Sequence, residues 1–124
     1  MSYQFSPELD HAKLDELYMG DPGIACEVFA AFVQETISLI PRLEESFQRN
    51  DRQEFRKLLH KLKPGFLYVG LTDIFERMSD AEKHCQAVDD LDSMEPALSE
   101  LFSDMKARIP VVRRELEQLQ RHGA

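Results

Sequence analysis

Apolar residues recur with a period near 3.6 along almost the whole chain, and only short clusters of Gly, Pro, Asp and Asn interrupt them. No segment sustains the alternation of a half-buried strand, and no Asn-Gly or Asp-Gly pair marks a hairpin. The chain is therefore expected to be all-α, with the punctuation dividing it into five helices. Ser6 and Pro7 should cap and open a short first helix running to about Met19, with Gly20 as its stop. Asp21 and Pro22 should start a second helix ending near Asn50, with a kink at Pro41. A third should follow Asp51 and end around Gly70, a fourth should span about Thr72 to Val88, and a fifth should follow the acidic loop DDLDSMEP with a kink at Pro110. Four long amphipathic helices with short connections predict an antiparallel up-down-up-down four-helix bundle, the short additional N-terminal helix closing one end.

At 124 residues the chain suits a single domain over residues 1–124 with one core. Its formal charge of -8 argues against nucleic acid and anionic membrane surfaces as partners. No uninterrupted apolar run approaches membrane-spanning length, and the N-terminus MSYQFSPELD lacks the basic and apolar stretches of a signal peptide, which together suggest a cytoplasmic protein. Cys26 and Cys85 lie far apart among apolar neighbours, as core residues would. A metal site is not expected: the one Glu-x-x-His pair, Glu8 and His11, falls on the short first helix, and a di-iron bundle needs two.

The stretch LLHKLKPGFLYVGL, residues 58–71, carries the chemistry. On a helical wheel Phe55, Leu58, Leu59, Leu62, Phe66 and Val69 form one face, while His60 lies about 140° from its centre. The ring should project outward, which removes the ordinary reading of a buried, satisfied histidine and leaves a bystander surface residue as the plain alternative. Around it Arg52, Arg56, Lys57, Lys61 and Lys63 face only one carboxylate, Glu54, a reversal of sign within an acidic chain that suits a mobile anion. Lys63 is one turn beyond His60, close enough to share an oxygen anion at the ring. Glu82 falls inside the apolar stripe of the fourth helix and needs a partner there. That partner could be the inner nitrogen of His60, which would fix the tautomer and free the outer nitrogen, or else Lys63 or Lys57. Pro64 removes the helical partner of the His60 carbonyl, either as a plain bundle kink or, with Gly65, as a flattened surface for an approaching protein.

Taken together, HKLKPGFLYVGL resembles the signature of histidine-containing phosphotransfer (HPt) domains, H-x-L-K-G-x-x-x-x-x-G, matched by His60, Leu62, Lys63 and Gly70. The resemblance extends over roughly residues 5 to 120. It implies a helical domain that relays a phosphoryl group between the aspartates of receiver domains in two-component signalling, a phosphoprotein and phosphorelay intermediate without an ATP site or cofactor of its own. His60 would be the phosphoacceptor, Lys63 would steady the phosphoryl oxygens, and Glu82 stands where the family usually has Gln or Glu. Pro64 and Leu67 depart from positions that are often small in the family and bear on docking. Arg56, Lys57, Lys61, Pro64, Leu67 and Gly70 would form the partner-binding set, with Tyr68 and an exposed edge of Phe66 beside it. The implied partners are receivers of response regulators or hybrid histidine kinases, met by a monomer. No Gly-rich phosphate loop is present, in agreement with that picture. The alternative is a helical interaction module that uses the same surface independently of phosphorylation.

Overall fold

The computed structural model describes residues 3–123, and among them all regular structure is helical. The helices are α1 (His11–Tyr18), α2 (Pro22–Gln48), α3 (Arg52–Tyr68), α4 (Thr72–Ala87) and α5 (Ala97–His122), with a 3-10 turn at Leu91–Met94. The starts of α2 and α3 obey a local rule. The Asp21 side chain accepts the N–H groups of Gly23 and Ile24 ahead of α2, and Asp51 accepts that of Glu54 in α3. The end of α3 is equally well defined: Leu71 N–H donates to the Phe66 carbonyl, Gly70 N–H donates to that of Leu67, and Gly70 adopts φ +80°. These two bonds satisfy carbonyls that the helix itself leaves free.

α2 packs on α3 and α5, and α4 packs on the same two, so the four long helices close a ring around one core. Phe29, Phe55, Phe66, Leu59, Ile74, Met78 and Met105 fill it, with Cys85 buried among them as a free thiol. Cys26 is also free and only half-buried. The two ion pairs between α4 and α5 run in opposite order along the chain, Arg77 meeting Asp104 and Arg108 meeting Asp73, while Arg42 meets Glu54 and Lys106 meets Glu44 between other neighbours. The short α1 and the segment before it lie against the turn that follows α3. Asp10 N–H donates to the Gly70 carbonyl, Tyr18 Oη to that of Tyr68, and Leu9 and Leu14 cover Gly70.

Several expectations change. α1 begins at His11, capped by Asp10 through the N–H of Lys13, rather than at Ser6 and Pro7. Ser6 closes only one turn, to Leu9, because the next N–H, that of Asp10, is taken by Gly70. Helical structure runs through both Pro41 and Pro110, and α2 departs from α-helical geometry a turn before Pro41, in a π-helical segment at Phe32–Thr36 that was not expected. Such a segment widens the turn by one residue and alters how the neighbouring helix fits. Gly65 of α3 sits against it, and a Cβ there would stand 3.2 Å from Thr36 Oγ1 and 3.3 Å from Phe32 Cδ2. The glycine beside Pro64 therefore has an interior role, letting α3 approach the π-helical segment of α2.

The expectation that no segment has membrane-spanning character also needs correction. α2 is 27 residues long and contains an 18-residue window of mean hydropathy 1.5, 22% of it buried. Glu27 and the polar Gln34, Glu35 and Thr36 break up its apolar runs, which is why a search for uninterrupted runs misses it. In the bundle its Phe29, Phe32, Ile40 and Leu43 are core residues.

Candidate functional site

α3 buries the face expected of it: Phe55, Leu58, Leu59, Leu62 and Phe66 are in the core, as is Val69 just beyond its end. His60 consequently stands on the outer side, with 75% of its side chain exposed. The ring is nevertheless anchored. Its Nδ1 lies 2.9 and 3.0 Å from the two carboxylate oxygens of Glu82, a buried residue of α4. The same Glu82 accepts from the ammonium of Lys63 at 3.3 Å, so two of the three partners considered for this carboxylate are present at once, Lys57 being the one that is not. Lys63 is mostly buried as well, its Nζ 5.9 Å from the centroid of the Phe75 ring.

A carboxylate facing Nδ1 accepts a proton and cannot donate one, so the arrangement selects the tautomer with hydrogen on Nδ1 and a lone pair on Nε2. Nε2 is then the nucleophilic atom. Burial raises the Glu82 carboxyl, but the hydrogen bonds from His60 and Lys63 and their charges outweigh it and leave it below its ordinary value. Asp73 behaves in the same way, lowered by Arg108 against the opposing effect of burial. A carboxyl depressed in the folded state favours folding above its unfolded value, and that contribution is lost as pH falls through the folded one. Urea midpoints of the wild type and Glu82→Gln should accordingly differ most above about pH 5 and converge toward pH 3. A gap that stays constant across this range would contradict the pairing.

The cations divide into two groups. Arg52 is not free: its Nε donates to the Cys85 carbonyl at 2.9 Å and its NH2 to that of Gln86 at 3.2 Å, capping the C-terminal end of α4. Arg56, Lys57 and Lys61 are exposed and form no ion pair among the described residues. Arg56 and Lys57, together with Gln53, His60, Glu82 and Gln86, line an open depression of about 420 Å³ between α3 and α4.

The rest of the expected partner set separates by exposure. Lys61 is exposed, Pro64 and Leu67 are half-buried, and Tyr68 is 44% exposed. Phe66 offers no edge to solvent, being 1% exposed with its ring against Phe32. Gly70 is buried under Leu9 and Leu14, and no partner can reach it while the N-terminal segment is in place. We therefore remove Phe66 and Gly70 from the docking set. Sequence reasoning missed Gln53 and Gln86, whose polar side chains give no signal of their own, and the capping role of Arg52, which depends on a contact 33 residues away. It also missed Glu115, a buried carboxylate of α5 that accepts the Tyr3 hydroxyl and the Ser6 N–H and so ties down the N-terminal segment.

No group of three or more His, Cys, Asp or Glu side chains suited to a metal ion occurs among the described residues. Among protein families, the model of the Hpt domain matches residues 27–122. No curated protein and no solved structure matches the chain.

Proposed function

This chain belongs to the Hpt domain family, and from that premise we propose that His60 is the atom-bearing residue of the relay, accepting and returning a phosphoryl group at Nε2. Hpt domains carry phosphoryl groups on histidine in two-component signalling, exchange them with receiver domains, and act as carriers rather than as enzymes with an ATP site. The observation that carries the assignment is the combination of a 75% exposed ring and an Nδ1 held 2.9 Å from a buried carboxylate.

In the forward step Nε2 attacks the phosphorus of a receiver's aspartyl phosphate. The N–P bond forms, the P–O bond to the aspartate breaks, and the aspartate leaves as a carboxylate. The proton on Nδ1 stays on the ring and continues to be donated to Glu82. No proton has to enter or leave, so the return step runs through the same arrangement. Glu82 positions the ring, and Lys63 balances the charge of Glu82 and holds it in place. Lys61, Pro64 and Leu67, with Tyr68, form the docking face around the nucleophile, and Arg56 and Lys57 extend it along α3.

The wider reading is a single domain over residues 1–124, an up-down-up-down antiparallel bundle acting as a cytoplasmic monomer. Connectors of three residues between α2, α3 and α4 support the alternation, as does the opposed order of the two ion pairs between α4 and α5.

The test is to expose the chain to phosphorylated receiver domains and map the modified residue by mass spectrometry. We expect an acid-labile, base-stable phosphate on His60. Label on His11, His84 or His122 instead, or none from any receiver, would overturn the assignment, and the absence of label with retained receiver binding would favour an interaction module.

A further inference from the structure

The family pattern places the phosphoryl-steadying charge one turn after the histidine, at Lys63. The structure gives that ammonium other work. Lys63 lies 3.3 Å from Glu82 Oε1, keeps 21% of its side chain exposed, and stands over the Phe75 ring. Its charge is matched by a carboxylate that also faces Nδ1, the side of the ring away from the reacting atom. Two cations without such a match lie in the other direction along the helix. Arg56 and Lys57 precede His60 by four and three residues, which puts both side chains beside the ring on the same surface. They share with it the open depression between α3 and α4, whose other lining groups are the amides of Gln53 and Gln86 and the carboxylate of Glu82, already engaged by His60 and Lys63. Lys61, the remaining free cation of this helix, does not line the depression.

We propose that Arg56 and Lys57, rather than Lys63, bind the non-bridging oxygens of the phosphoryl group during its transfer to and from His60. This rests on His60 being the acceptor and adds which residues the transferred group meets. Three points favour it. The depression is open enough to admit a tetrahedral dianion. Its two unpaired cations match a dianion in charge, and Arg56 presents a fork of N–H donors suited to phosphate oxygens. Binding by these residues also leaves the ion pair between Lys63 and Glu82 intact throughout the cycle, so the Nδ1 proton keeps its acceptor before, during and after transfer. Lys63 could offer a phosphoryl oxygen only the donors of an ammonium whose charge Glu82 already balances.

The decisive measurement uses phosphoramidate, a small phosphodonor whose N–P bond breaks as the bond to His60 forms and ammonia leaves, so that receiver docking does not enter. Arg56 and Lys57 are exposed and unpaired, which makes Arg56→Gln with Lys57→Gln a variant that should fold normally. We expect labelling of His60 to slow by about tenfold in this double variant. We also expect a smaller loss in Lys63→Gln, and a phosphorus-31 resonance of phosphorylated His60 that titrates at higher pH in the double variant than in the wild type, because two cations no longer favour the dianion. A double variant labelled at the wild-type rate with an unmoved phosphorus titration, or a larger loss in Lys63→Gln, would overturn the proposal. Absence of His60 labelling in the wild type, from phosphoramidate and phosphorylated receivers alike, would instead remove the acceptor assignment on which it rests.

Discussion

His60→Gln should lower phosphoryl acceptance from a phosphorylated receiver by at least about a thousandfold while leaving the fold as it is, because the substitution removes the nucleophile itself. The amide has no atom that can form a stable N–P bond under these conditions. It can still donate to Glu82, so the buried carboxylate is not orphaned. With three quarters of the His60 side chain in solvent, little packing is lost. The paired measurements are transfer of radiolabelled phosphate, expected to vanish, and a thermal melt, expected to move by only about a degree or two. If Glu82 were instead destabilised by losing the ring, the melt would fall along with transfer. Retained label in His60→Gln would mean that another residue accepts the phosphoryl group.

The second large effect concerns stability. Gly70→Val should cost about 3–5 kcal/mol, combining the strain of a β-branched residue at φ +80° with overpacking. A Cβ at Gly70 would stand 2.8 Å from Leu14 Cδ1 and 3.1 Å from Leu9 Cβ. Leu14 is fully buried and Leu9 4% exposed, so neither can swing into solvent without uncovering the core. The N-terminal segment would have to lift as a whole, and the hydrogen bond from Asp10 N–H to the Gly70 carbonyl would go with it. In a domain whose total stability is on the order of 5–15 kcal/mol, this is a drop of roughly 10–20 °C in melting temperature. Gly70→Ala should fall between the wild type and valine. A loss below about 1 kcal/mol for valine would show that the segment yields more easily than its packing implies.

These two residues illustrate what the sequence could and could not reveal. That His60 points outward follows from the wheel alone, because the five buried positions of α3 fix which side of the helix is left to it. The burial of Glu82 in an apolar stripe follows for the same reason, and so does its need for a partner. Periodicity carries this information because it is local. Gly70 was legible as a helix stop and, through the family resemblance, as a residue of packing and of the partner-binding set; that it is the floor for Leu9 and Leu14 depends on residues about sixty positions away. The late start of α1 has the same origin. Ser6 and Pro7 are sound start signals, yet a carbonyl at Gly70 captures Asp10 and resets the helix. The π-helical segment at Phe32–Thr36 gave no signal, since no residue type marks it and only its fit against Gly65 accounts for the glycine there. The position of Lys63 one turn beyond His60 was legible too, but spacing along one helix does not reveal that its ammonium also meets Glu82 of the next helix.

α3 and α4 are fastened to each other at both extremities, by the connector 69–71 at one and by the guanidinium of Arg52 on the Cys85 and Gln86 carbonyls at the other. A pair of rods pinned at each end has no freedom to slide lengthwise. The ring and its carboxylate, mounted on opposite rods between the pins, therefore keep their register without help from any visitor. The entropy of aligning nucleophile with proton acceptor is spent once, when the chain folds, and each later encounter begins with that alignment already made.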